Sequence, residues 1–323
     1  MSTLLAVEQL RVRLNTARGP ADALRGIDLV LNRGETLGLI GESGCGKSMT
    51  ALALMGLLPE GAQVSGSIRF DGHELATADD AVMCALRGKR IGMIFQEPMT
   101  ALNPLHTVGA QVAEPLRHHL GLSRQEARME ALRLLERVKL PQAAQRLDAY
   151  PHQLSGGQRQ RVMIAAALAC GPDLLIADEP TTALDVSIQR EILDLIGELV
   201  AESGMALLLI SHDLGVMART VQRVMVMYGG TVAESGPTQA VFERLAHPYT
   251  RGLFRARPQL GMGRGRPLAT IPGRVPELVD MPHGCPFMDR CHRAIDVCRE
   301  PPPAFPVDAG HAARCFNMEP AND

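Results

Sequence analysis

The chain has little charge bias: 33 basic residues against 35 acidic ones leave a formal net charge of −2. That balance excludes the broad basic field by which nucleic-acid binders hold phosphate backbones. Long apolar runs are also missing. None approaches the ~20 residues that a membrane-spanning helix needs, and Val162 to Cys170 is among the longest. The first residues lack a basic region followed by an apolar core, so no signal peptide is expected. The expected location is the cytoplasm, with any membrane contact made through protein partners. Paired cysteines of the C-x2-C kind, typical of structural zinc, are absent as well.

What is present suits a globular fold. Of 323 residues, 46% are hydrophobic and 21% charged, a composition that can build a core and a length that predicts about two domains. Residues 4–14 alternate, with Leu10, Val12 and Leu14 on one face and Arg11 and Arg13 on the other, which predicts a strand. Thr36–Ile40 reads as a short buried strand, followed by a glycine loop and an apolar helix from Lys47 to about Leu57. Further strands are expected at 68–70, 91–95, 174–178, 205–210, 223–228 and 231–235. Helices are expected at 187–202 and 213–219. Residues 105–170 are mostly helical by pattern, punctuated by Pro104, Pro115, Pro141 and Pro151. The alternation predicts an α/β core with a helical insertion. Ten of the 22 prolines fall in residues 265–323, which argues against long helices there.

The glycine loop is Gly41-Glu42-Ser43-Gly44-Cys45-Gly46-Lys47-Ser48, followed by Met49. It fits G-x-x-x-x-G-K-[ST]. Its backbone N–H groups can wrap phosphates, and the next helix turns its N-terminal dipole toward the same anion. Lys47 would reach the β- and γ-phosphates and Ser48 would ligate Mg²⁺. Taken alone, the loop could be a tight turn before a core helix. Cys45 admits two readings: a small residue standing in for Ser, or a thiol activated at a helix N-terminus.

Downstream, Asp178 closes the apolar strand Leu174–Ala177 and can hold Mg²⁺, through water. Glu179 follows, placed to orient or deprotonate an attacking water. His212 comes after the strand Ala206–Ile210 and could contact the γ-phosphate. Gln96 ends the strand at 91–95 and could sense Mg²⁺ or water. Each of these, isolated, would be an ordinary polar residue in a turn. Between the two halves, Leu154-Ser155-Gly156-Gly157-Gln158 opens a second helix N-terminus suited to phosphate. One glycine loop already saturates its own nucleotide, so Ser155, Gly156, Gly157 and Gln158 are expected to serve the ATP of a partner subunit.

In this order the motifs resemble those of an ATP-binding cassette (ABC) ATPase, over residues 4–240. The resemblance implies a P-loop NTPase core with a helical subdomain at about 101–171. It makes Glu179, His212, Gln96 and Lys47 the catalytic set, with Mg²⁺ at Ser48, Gln96 and Asp178. Gln96 would face membrane subunits, and Ala183-Leu184-Asp185 would cross a dimer interface. Two subunits would sandwich two ATP molecules. The runs Phe95–Pro104, Tyr150–Ala165 and His247–Phe254 resemble ATPase subunits of dipeptide and oligopeptide importers, whose relatives include nickel importers. That implies a second, related ATPase, two permease subunits and an extracytoplasmic binding protein as partners. It also implies a place on the cytoplasmic face of the plasma membrane. Such cassettes usually stack adenine on an aromatic near the end of the first strand. Here no Phe, Tyr or Trp precedes Phe70, and Leu14 takes the corresponding place. A soluble ABC ATPase acting on ribosomes or DNA, and a redox-sensing regulator, are the rival readings.

Residues 241–323 are expected to form a small proline-rich, metal-binding extension. Cys285, Cys291, Cys298 and Cys315 are spaced C-x5-C-x6-C-x16-C. Four thiolates suit Zn²⁺ or an iron–sulfur cluster, and the family resemblance adds weight to [4Fe–4S]. Phe287, Phe305 and Phe316 could supply an apolar shell. His283, His292 and His311 are expected to be solvated loop residues rather than ligands.

Overall fold

The computed structural model describes residues 2–182, 184–257 and 270–321. Its strands are β1 (Thr3–Thr16), β2 (Gly19–Asn32), β3 (Thr36–Ile40), β4 (Gln63–Phe70), β5 (His73–Glu74), β6 (Ile91–Ile94), β7 (Leu174–Asp178), β8 (Ala206–Ile210), β9 (Arg223–Tyr228), β10 (Thr231–Pro237), β11 (Phe305–Asp308) and β12 (His311–Ala313). The early helices are α1 (Lys47–Met55), α2 (Asp80–Leu86), α3 (Pro98–Ala101), α4 (Val108–Leu120), α5 (Arg124–Arg137), α6 (Ala143–Arg146) and α7 (Gly156–Leu168). The later ones are α8 (Val186–Ser203), α9 (Leu214–Thr220), α10 (Thr238–Arg244) and α11 (Pro248–Arg255). The chain divides into two compact units.

One unit comprises residues 1–4, 31–36 and 77–210. Its strands β6, β7 and β8 run parallel, with Ile91 opposite Leu174 and Leu174 opposite Ala206. Every residue of β7 and β8 is buried, which is why both read as unbroken apolar runs rather than alternating ones. Helices α4, α5 and α7 pack on one another. Thr107 caps α4, and a reciprocal Ser123–Glu126 capping box starts α5. Pro115 does not punctuate the chain as its sequence position suggests. It lies inside α4, where the buried stripe Val108, Val112, Ala113 and Leu116 holds the helix together through it.

The other unit comprises residues 5–30, 37–76 and 211–323. It contains an antiparallel sheet in the order β2-β1-β4-β5. Strand β2 has no counterpart among the sequence expectations. Beside it, β3 runs parallel to β9, and β10, β12 and β11 continue antiparallel from β9. The tail thus joins the sheet through β12. Among the described residues from 270 on, it adds to that hairpin three short 3₁₀ turns and no α-helix, as its prolines predict. Among the described residues no helix is long and apolar enough to cross a membrane.

Candidate functional site

The glycine loop leaves β3 and enters α1. Gly41, Gly44 and Gly46 have φ of 155°, 80° and 105°, a region that side chains avoid. A Cβ on Gly41 would stand 2.3 Å from the Met227 carbonyl and 2.6 Å from Cys45 Sγ. Gly46, which has no side chain to cap with, stands at the N-terminus of α1, whose dipole suits an anion. Lys47 is buried, and its Nζ donates to the carbonyls of Gly41 at 2.8 Å and Glu42 at 3.0 Å. The ammonium is therefore held against the loop itself. Cys45 is fully buried and burial pushes its thiol up, which favours its reading as a small residue in the place of a serine. In the same unit His212 is exposed, two residues beyond β8. Its neighbour Ser211 is tied to β3 through Ser211 N to Leu39 O.

In the first unit, Asp178 ends β7 and is buried. Glu179 has φ of 45°, a left-handed conformation that turns the chain sharply out of the strand. Its N–H donates to the Ile210 carbonyl at 2.9 Å. Its Oε2 accepts from Thr182 Oγ1 at 3.0 Å and from Gln96 Nε2 at 3.3 Å. Gln96 and Glu179, 83 residues apart in sequence, thus meet as a donor–carboxylate pair. Thr182 is a third member that no sequence pattern marked.

Ser155 caps α7. Its Oγ accepts from Gln158 N and the Gln158 Oε1 accepts from Ser155 N at 3.1 Å, a complete capping box. Ser155 and Gly156 are exposed, so this helix N-terminus faces outward. A Cβ on Gly157 would stand 2.9 Å from Ile188 Cγ2. Ala183 lies outside the described residues. Leu184 accepts from Gln189 Nε2 at 3.0 Å, and Asp185 stands at the start of α8.

In the tail, Cys285, Cys291, Cys298 and Cys315 line one small cavity together with His247, Pro248, Phe287, Met288, Pro302 and Phe316. Backbone bonds draw their segments together: Cys285 N donates to Cys298 O at 2.9 Å, and Cys291 N to Met288 O at 3.1 Å. Burial pushes the Cys285 thiol up to about 11 and the Cys315 thiol up to about 12. Among the described residues, no group of three or more His, Cys, Asp or Glu side chains converges to hold a single metal ion. Phe287 and Phe316 are walls of the cavity, while Phe305 packs edge-on against Phe316 from behind.

His311 is not a solvated loop residue. It is buried, with Nε2 2.7 Å from Glu234 Oε1. Glu234 also accepts from the N–H groups of Ala246 and His247 at 2.9 Å. Burial works to raise its carboxyl, but His311, Thr250 and those amides outweigh it and hold the group below the usual range. His247 caps α11, accepting from Tyr249 N at 3.0 Å, and burial lowers its imidazole to about 4. The Tyr249 hydroxyl then accepts from Glu42 N at 2.7 Å. The run His247-Pro248-Tyr249 is thus a helix cap that carries a tyrosine to the glycine loop.

Residues 24–182 match the family model for the ABC transporter, and residues 233–298 match that for the oligopeptide/dipeptide transporter C-terminal region. A putative peptide import ATP-binding protein of Brucella abortus is 49% identical over 98% of this chain and 97% of its own. The oligopeptide transport ATP-binding protein OppD of Salmonella typhimurium is 47% identical, over 98% of this chain and 94% of its own. A solved dimeric ATP-binding cassette, MJ0796 bound to ADP and Pi in a post-hydrolysis state, superposes with a TM-score of 0.66 at 29% identity. It covers 73% of this chain and 99% of its own.

Proposed function

The chain belongs to the ABC transporter family, and from that premise we propose that it is the ATP-hydrolysing subunit that energises a membrane importer of peptides. The observation that carries the reading is the joint presence of a phosphate loop with Lys47 buried at its mouth and the oligopeptide/dipeptide C-terminal region in one chain. In this role Lys47 and the loop amides of residues 41–49 bind the β- and γ-phosphates, and Ser48, Gln96 and Asp178 serve Mg²⁺. Glu179 takes the proton of the attacking water. Gln96 and Thr182 both donate to its Oε2 and keep the carboxylate aimed. His212 contacts the γ-phosphate. The outward-facing N-terminus of α7, with Ser155, Gly156, Gly157 and Gln158, completes the ATP site of a second cassette, the arrangement expected of a dimer.

The second cassette is a related chain rather than a copy. Two permease subunits cross the membrane, an extracytoplasmic protein delivers the solute, and this chain docks on the cytoplasmic face. The four tail thiols fit a [4Fe–4S] cluster. The four cysteines line one cavity with Pro248, Phe287, Met288, Pro302 and Phe316 as apolar walls, and His247, Arg293 and Asn317 also line it. Bound there, a cluster would supply metal–thiolate bonds that close the loops of a segment too rich in proline to build its own core. Zinc is the alternative occupant.

Uptake of a labelled oligopeptide by cells deleted for this chain tests the assignment. Peptide uptake should stop while nickel uptake continues. Loss of nickel uptake alone would move the chain to the metal-importing relatives. Sedimentation with ribosomes instead of membranes would make it a soluble, non-transporting cassette.

A further inference from the structure

Glu42, the first variable residue of the phosphate loop, is held at three points. Its N–H donates to Tyr249 Oη at 2.7 Å, and its carbonyl accepts from Lys47 Nζ at 3.0 Å. Its carboxylate takes both arms of one guanidinium, Arg290 Nη1 at 2.6 Å and Nη2 at 3.1 Å. Arg290 comes from the tail. It ends the turn Met288–Arg290, directly before Cys291. Its side chain is only 6% exposed. Nη1 also donates to Tyr228 Oη at 3.2 Å and Nε to the Pro272 carbonyl at 2.9 Å. The guanidinium carbon lies 5.7 Å and 5.8 Å from the ring centres of Tyr228 and Phe287. Such a planar fork, seated between rings and carbonyls, is fixed in a way a lysine ammonium would not be.

A carboxylate in the first turn of a phosphate-binding loop is an electrostatic liability, because it repels the anion the loop binds. Arg290 cancels that charge and at the same time fixes the residue whose carbonyl holds Lys47. We propose that Arg290 is a positioning residue for the phosphate loop, through which the cysteine-bearing tail sets the affinity for the nucleotide's phosphates. The proposal rests on the ATP-binding reading above and adds a residue to it that lies outside the cassette motifs. It makes the tail part of the nucleotide site rather than an appendage. Arg290 touches neither the reacting atoms nor the metal; it acts through Glu42.

The test is equilibrium binding of MgATP to the full chain, prepared without oxygen, by displacement of a fluorescent ATP analogue. Arg290→Met should weaken binding by roughly tenfold or more, since it leaves an uncompensated carboxylate near the phosphates. In steady-state turnover the same variant should raise KM and leave kcat within about twofold, the pattern of lost uniform binding. Glu42→Gln alone removes the carboxylate and leaves the Arg290 cation beside the phosphates, so it should bind MgATP more tightly than the native chain. The double variant Arg290→Met/Glu42→Gln should recover most of the lost affinity, because the offending charge is gone. A purely structural strut would show no such rescue. If Arg290→Met does not fold, Arg290→Lys takes its place, with a smaller loss and the same rescue. Native affinity in the Arg290 variants, or a loss that Glu42→Gln leaves unrepaired, overturns the proposal. A native chain that binds no MgATP at all overturns the ATPase reading itself.

Discussion

Gln96 and Glu179 meet across 83 residues of sequence, with the amide of one donating to the carboxylate of the other at 3.3 Å. Glu179 sits at φ of 45°, just past the buried end of β7. The strand fixes where the turn occurs, the turn throws the carboxylate out of the core, and Gln96 limits where it then points. A general base needs this combination of partial burial and fixed aim.

Glu234 on β10 is bonded to His311 of β12, and its removal should be costly. His311 and His247 face it, along with Thr250 and the Ala246 amide. Glu234→Ala should cost about 3–5 kcal/mol in chemical unfolding, the scale for removing one partner of a buried pair. The carboxyl is held below its ordinary range, so its contribution is complete above the unfolded-state pKa of about 4.3 and fades as pH falls through the lower folded value. Glu234→Gln should therefore start less stable at pH 7 and lose less on acidification below about pH 5. Parallel acid-unfolding curves for the two proteins would show that Glu234 is not the titrating group.

Adenine binding is open to a gain-of-affinity test. Leu14 lies half-buried on β1, and the family resemblance leads us to propose it as the position facing the base. Leu14→Tyr should tighten MgATP binding by the ~1–3 kcal/mol that one base–aromatic contact supplies. The measurement is the same displacement assay, with GTP alongside. The native chain should discriminate weakly between ATP and GTP, and the variant more strongly. An unchanged affinity would mean that the base is held elsewhere.

Metal content decides the tail. Protein purified without oxygen should carry about four irons and four acid-labile sulfides per chain, the content of one [4Fe–4S] cluster. Because the thiols of Cys285 and Cys315 are pushed up by burial, ligation must release protons, and chelators should strip the site more readily as pH falls. Stripping should expose residues 285–315 to proteolysis. One zinc without sulfide would replace the cluster, and no metal would leave the tail's folding unexplained.

Much of the cassette is legible in the sequence because its strongest signals are local. The buried strands at 36–40 and 174–178 announce themselves as short apolar runs, and the glycine loop has fixed spacing and a fixed strand–loop–helix context. Strand β2 is harder, since Gly19–Asn32 mixes charge with apolar residues and owes its shape to pairing with β1. Pro115 misleads because tertiary burial of α4 outweighs the local preference of one proline. The tail's bonds are long-range. Nothing near Arg290 in sequence points to Glu42, 248 residues away, and His311 reads as a loop histidine until Glu234 is seen against it. Spacing identified the four cysteines as a group, but the shared cavity required the fold.

The central claim is that this chain hydrolyses ATP with Glu179 as the base. It is tested most directly by comparing MgATP binding and turnover in the native chain and in Glu179→Gln, each assembled with its partner cassette and permeases. The account predicts near-native binding by the variant and turnover slower by at least ~10²-fold, the scale of a lost general base. Turnover within a few-fold of native, or a loss of binding equal to the loss of turnover, would contradict it.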